Sequence, residues 1–293
     1  RIMQVRICSM EDGRWGVTVF ALISVGGMIA IGVLLRIGGW PLSSYPGLAC
    51  TLIGMWLPAI GRLVATRTVD RGFQAPMPLR KWGSPKALVI IVPLATIVAI
   101  YLIAYGVAAL IGVEQEPPRW VGLKRIAINV VITGVIHGTL TLFGALGEEL
   151  GWRGYMLPRL DQLKVRGSLG IVAVVWTIYH IPLIVAGGYV STGSFGISVL
   201  LFFLLVIGAT VVWSTFTYAF KSLWVAVWFH AFHNTFSQAL MPRIFGEGAP
   251  SILGESGVIP GTVYLIAAAL CWLCVRRKRG SWSAFAQNAV GNE

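Results

Sequence analysis

The chain of 293 residues is 56% hydrophobic and only 12% charged, with a mean hydropathy of +0.78. So little polar surface cannot cover a water-soluble globule, which excludes a soluble domain and puts lipid around much of the chain. The net charge of +12 would suit a nucleic-acid partner, but the basic residues follow the ends of apolar segments, so a lipid bilayer is the expected partner and no nucleic acid is.

About 20 apolar residues cross ~30 Å of hydrocarbon. By that measure eight stretches span or nearly span, near 16–36, 46–66, 87–113, 126–152, 168–188, 195–219, 222–241 and 260–275. The expected fold class is all-α, a polytopic membrane protein of about eight transmembrane helices. Residues 1–15 form a cytoplasmic N-terminal segment, residues 16–279 one membrane domain, and residues 280–293 a polar cytoplasmic tail that is expected to be disordered. The first apolar run is of full spanning length and is followed at once by another, so it reads as an anchor rather than a cleavable signal peptide. A basic loop from Arg67 to Lys86, with Pro76, Pro78 and Pro85, suits a surface lying on anionic headgroups. The segment Glu114 to Trp120 breaks the helix at Pro117 and Pro118, and Pro242 to Pro260, rich in Gly and Pro, reads as an irregular external loop. With the N-terminus inside, only Arg36, Arg119, Lys124, Arg125 and Arg243 fall outside, leaving 18 of the 23 basic residues on the inner side. This asymmetry assigns both termini to the cytoplasm. The membrane itself would be the plasma membrane in a prokaryote and the endoplasmic reticulum in a eukaryote.

Cys8, Cys50, Cys271 and Cys274 make no disulfide framework. The Cys271–Cys274 spacing resembles a redox or zinc pair, but it lies in an apolar span beside a basic tail, where ordinary apolar packing is the better reading and S-acylation a minor alternative.

Against this apolar background, Glu148 and Glu149 stand side by side in a chain of eleven acidic residues. Intramembrane acids are costly and mark cavities or reaction sites. Glu149 and Arg153, four apart with the acid first, are placed to pair on one helix. Glu148 lies about 100° around the helix and is not neutralised as well. It is left protonated, metal-bound or hydrogen-bonded to a water that it can activate. His230 and Asn234 share a face, and His180 precedes Pro182. Rise per residue puts Glu148 roughly 10 Å, His230 roughly 12 Å and His180 roughly 18 Å from the cytoplasmic ends of their spans. Two histidines and a carboxylate that converge can hold Zn²⁺ with an open position, or hold a water without metal. The metal set would be Glu148, His180 and His230. His137, about 16 Å along the axis from Glu148, reads as a packing residue, and His233 as a supporting or packing one. The alternative for the whole set is a polar network that ties helices together. Gly144, Gly147, Gly151 and Gly154 permit close backbone approach, for the site or for helix packing.

The run Glu148-Glu149-Leu150-Gly151-Trp152-Arg153 resembles the EExxxR motif of the CPBP family, the CAAX protease and bacteriocin-processing (Abi) intramembrane endopeptidases. Trp176 and His180 match its second motif, an aromatic residue four before a His, with Trp where Phe is commoner. His230 and Asn234 match its third. The three motifs fall within 142–240. The resemblance implies an endopeptidase that cleaves a membrane protein or lipidated, CAAX-type peptide. Glu148 would activate water, with Glu149 held by Arg153. His180 would orient the water or ligate a metal, and His230 and Asn234 would bind the oxyanion or complete a metal site. The family is described both as metalloproteases and as glutamate-dependent enzymes. Other chemistries fit less well. Asp12, Asp70 and Asp161 fall outside the expected spans, and neither H-E-x-x-H nor G-x-S-x-G occurs. A non-catalytic immunity or regulatory scaffold is the alternative function, and a proton-coupled transporter ranks below it.

Overall fold

The computed structural model describes residues 10–113, 123–186, 189, 192–245, 249 and 251–290. All regular structure among these residues is helical. Helix α1 covers Met10–Gly38, α2 Tyr45–Thr68, α3 Leu88–Leu110 and α4 Leu123–Gly151. A π-helical turn, Trp152–Met156, carries α4 into the short α5, Leu157–Gln162. Then come α6 (Ser168–Val185), α7 (Phe195–Phe220) and α8 (Leu223–Thr235), a second π turn (Phe236–Leu240), α9 (Met241–Phe245), α10 (Val258–Arg279) and α11 (Trp282–Val290).

Among the described residues, seven helices are long and apolar enough to cross a membrane. The α8–π–α9 run from Leu223 to Phe245 is the seventh expected span, interrupted by its π turn. Expected and observed helix ends agree to within a few residues, except around the first expected motif. There the span does not stop near 152 but continues through the π turn and α5 to Gln162, so Glu148 lies about 21 Å from that end, deeper than the sequence suggested. Asp161 accordingly falls inside this helical run, correcting its placement outside the spans.

Apolar side chains such as Leu22, Ile29, Val135, Leu200, Ile266 and Leu270 project outward on successive helices. A belt of this kind has no place against water and fits an acyl-chain surround. Inside, α1 packs on α2 and α6, α2 on α4, α4 on α8, and α7 on α6, α8 and α10. Ser44 starts α2, its Oγ accepting from the Gly47 amide at 3.2 Å.

The α2–α4 contact explains the glycine series. A Cβ on Gly147 would meet the Met55 carbonyl oxygen at 2.7 Å, and one on Gly151 would collide with Pro58 Cβ and lie 2.8 Å from its carbonyl. The stripe therefore lets two helix backbones touch. Gly154 faces Arg62, whose Nη1 donates to the Leu150 carbonyl at 3.3 Å. That carbonyl lies just where α-helical bonding gives way to the π turn.

Three expectations about connecting segments need correction. The 67–86 loop packs into the α7–α8 corner rather than resting only on headgroups. Trp224 Nε1 donates to the Leu79 carbonyl (2.8 Å), Ser222 Oγ donates to the Trp82 carbonyl, and the Trp82 and Trp224 rings pack in a tilted arrangement with centroids 5.0 Å apart. Pro242 lies within α9, not in an irregular loop. The tail is not disordered over 282–290. Helix α11 folds back with Trp282 buried, its Nε1 donating to Asp161 Oδ1 at 3.3 Å, while Tyr218 OH and Ser168 Oγ occupy the same carboxylate. The expected external break at 114–120, with Arg119, and the expected Cys8 position lie outside the described residues.

Candidate active site

The four motif-bearing segments converge. Helix α4 supplies Glu148 and Glu149, the π turn supplies Arg153, α6 supplies Trp176 and His180, and α8 supplies His230 and Asn234. All are buried, Glu149 and Arg153 completely. A π turn follows directly on each of two site-bearing helices, α4 and α8. Such turns often occur at functional sites because the extra residue changes which side chains face inward. Every residue from Gly151 to Asp161 is in fact buried.

The expected Glu149–Arg153 pair is present. Arg153 Nη1 donates to both Glu149 oxygens, at 2.9 and 3.1 Å. The guanidinium also reaches Ser214 and Thr210 at 3.5 Å. It sits over the Trp176 ring at 4.5 Å and the Trp213 ring at 5.3 Å, so its charge is met by aromatic faces as well as by the carboxylate.

His230 belongs to the same unit, with its Nδ1 2.9 Å from Glu149 Oε1. An ionised carboxylate accepts here, so the Nδ1 proton points at Glu149 and Nε2 is left for other work. His180 is fixed similarly: its Nδ1 lies 2.8 Å from the Trp176 carbonyl, which can only accept. In the neutral ring, Nε2 then carries the lone pair. Glu148 and His230 both lie within electrostatic reach of His180.

Glu148 has different surroundings from its neighbour. Its Oε2 accepts two indole N–H bonds, from Trp152 at 3.0 Å and Trp176 at 2.7 Å. Neither donor carries charge. Among the described residues nothing hydrogen-bonds its Oε1. Trp176 thus touches every part of the site: its N–H meets Glu148, its carbonyl meets His180, its face meets Arg153, and its ring lies 5.5 Å from that of His230. Trp152 was legible in sequence as the residue four after Glu148, a spacing that places both on one helix face.

His233 stands apart from the carboxylate pair. Its Nδ1 lies 3.0 Å from Tyr101 OH and 2.9 Å from Tyr264 OH, and its Nε2 lies 3.4 Å from Glu255 Oε1. Glu255, which the sequence did not single out, comes from the segment before α10. It also accepts from Tyr189 OH and from Gln238 Nε2, each at 3.0 Å. Tyr189 in turn stacks on His180 at 5.5 Å. Burial pushes the Glu255 carboxyl up, but its bonds from His233, Gln238 and Tyr189, with the His233 charge, outweigh this and hold it below the ordinary carboxylate range. His137 joins neither group, and its buried Nδ1 has no partner among the described residues.

Among the described residues, no three His, Cys, Asp or Glu side chains gather as a metal site. In the expected set of Glu148, His180 and His230, one polar atom of each is already engaged within the protein. Glu148 Oε2 is capped by two N–H donors, and His230 is turned onto Glu149.

A bundle of apolar spans that buries paired carboxylates, an arginine and two histidines at its centre defines an integral, multi-pass membrane protein with an intramembrane polar site. Residues 132–236 match the family model described as Type II CAAX prenyl endopeptidase Rce1-like, so that segment is similar to this peptidase family. The matched segment contains every site residue from Glu148 to Asn234. No curated protein matches the chain in a sequence comparison.

Proposed function

We propose that the protein is an intramembrane endopeptidase that hydrolyses a peptide bond near the C-terminus of a membrane-associated, CAAX-type substrate, with Glu148 as the base that activates water. The observation that carries this reading is the division of labour between adjacent acids. Glu149 is neutralised by Arg153 and bound to His230, whereas Glu148 is steadied on one oxygen by neutral indole donors and has no hydrogen-bond partner for the other among the described residues. A fixed carboxylate with an unused oxygen is what a general base needs.

In the proposed reaction, Glu148 Oε1 takes a proton from water as the water oxygen bonds to the scissile carbonyl carbon. His180 Nε2 accepts from that water and aims it. The carbonyl oxygen becomes an oxyanion, bound by the Asn234 amide, with His230 held beside it through Nδ1 by Glu149. Collapse of the tetrahedral species returns the proton from Glu148 to the leaving amine as the C–N bond breaks. No step is routed through a metal. The positive-inside pattern supports cytoplasmic termini, which would place the Arg276–Arg279 end of α10 at the cytoplasmic face.

The test incubates purified protein with prenylated and unmodified CAAX-type peptides and identifies products by mass spectrometry. Cleavage that Glu148→Gln abolishes supports the reading, and a requirement for the prenyl group defines the substrate class. Failure to cleave either peptide removes the CAAX assignment and favours the scaffold.

A further inference from the structure

We propose that the cleft between the basic ends of α7 and α10 and the inner face of α11 binds an anionic phospholipid, its phosphate held by Lys221, Lys278 and Arg279 and an acyl chain lying on the cleft's apolar floor. The cleft has a volume of about 320 Å³, has none of the motif residues in its lining, and has walls of two kinds. Ala219, Val275, Phe285 and Ala289 make an apolar floor, while the three cations stand around it and no carboxylate lines it. Among the described residues, no ion pair engages any of the three. A dry floor beside several uncompensated cations matches an amphiphile with an anionic head and rejects a zwitterionic one less well held by charge.

The cleft is fixed in place by the fold. Lys221 caps α7 in the left-handed region, φ +49, with its amide bonded to the Thr217 and Tyr218 carbonyls, so its backbone is pinned at the mouth. Helix α11 forms the far wall because Trp282 stacks on Tyr218 at 5.4 Å and donates to Asp161. The Asp161 carboxylate is consumed behind that wall by Ser168, Tyr218 and Trp282. It does not line the cleft. The cleft lies at the end of α10 carrying the Arg276–Arg279 run, where a headgroup phosphate would sit.

A free phosphate anion shares the headgroup's chemistry, and the experiment separates the two. The protein is assembled into nanodiscs of phosphatidylcholine alone or mixed with phosphatidylglycerol, and retained lipid is counted by native mass spectrometry. The wild type is expected to keep phosphatidylglycerol over phosphatidylcholine by about tenfold. The combined K221Q, K278Q and R279Q variant should lose that preference. Ala219→Trp, which fills the floor and leaves the cations, should lose it too, and it stands in if the triple variant does not fold. Equal retention of both lipids by the wild type, or an unchanged preference in either variant, overturns the proposal. Thermal protection of delipidated protein by inorganic phosphate, as strong as that by phosphatidylglycerol and insensitive to Ala219→Trp, assigns the cations to free phosphate and overturns the lipid reading.

Discussion

Replacing Arg153 by Met should unfold the site from its centre. The guanidinium is wholly buried and is the main counter-charge to Glu149, with contacts at 2.9 and 3.1 Å. Removing one partner of a buried pair leaves the other charge uncompensated, at a cost of about 3–5 kcal/mol. Loss of the stacking against Trp176 and Trp213 adds about 0.5–2 kcal/mol, partly offset because Met fills similar apolar space. At about 2 °C per kcal/mol for a chain of this size, Arg153→Met should lower Tm by roughly 6–10 °C, read by scanning fluorimetry in detergent at one fixed scan rate. Adding Glu149→Leu removes the orphaned charge and should recover about half of that loss, the remainder reflecting the His230 Nδ1 left without an acceptor. Peptide cleavage should fall in both variants, in the single one because Glu149 has lost its counter-charge and in the double one because His230 Nδ1 has also lost its acceptor. A single variant within about 1 kcal/mol of wild type, or a double variant less stable than the single one, would refute this reasoning.

The α2–α4 contact predicts that Gly151→Ala costs about 1–3 kcal/mol, since its Cβ meets Pro58, while Gly170→Ala, with nothing within 4 Å, is neutral or stabilising. Thermal melts of the two side by side check this. For Glu255, the folded-state pKa lies below the unfolded one. Its contribution to stability is therefore fully present above the ordinary carboxylate range and is lost as pH falls through the folded value. Melts across acid pH should show that loss in wild type and a flatter profile in Glu255→Gln. If Glu148 activates water without a metal, as proposed, cleavage should survive prolonged chelation and gain nothing from added zinc. Activity lost to the chelator and restored by the metal would overturn the metal-free reading.

The spans were legible because apolar runs of spanning length have few other uses. The Glu149–Arg153 pair was legible because i,i+4 geometry is local. What the sequence hid was pairing across helices. Nothing in the spacing says that His230 turns to Glu149 rather than Glu148, or that Trp176 donates to Glu148 from 28 residues away. Both π turns lack a compositional signature, and the first one moved the end of its span by about ten residues. Glu255 and Asp70 looked like ordinary loop acids. Each is engaged by partners far along the chain: His233 and Tyr189 for the first, Arg159 and Tyr155 for the second, where Arg159 Nη2 meets Asp70 Oδ1 at 2.8 Å. Trp282 escaped for a similar reason, since a short polar tail becomes helical only by docking on Asp161 and Tyr218.

The division of labour between the two glutamates is tested most directly by comparing Glu148→Gln with Glu149→Gln for single-turnover peptide cleavage and thermal stability in one preparation. Gln at 148 still accepts the two indole bonds, so its Tm should match wild type while cleavage falls by about 10²–10⁴-fold or more. Gln at 149 strands the Arg153 charge and should lower both. Cleavage at the wild-type rate by Glu148→Gln would contradict the assignment of that carboxylate as the base.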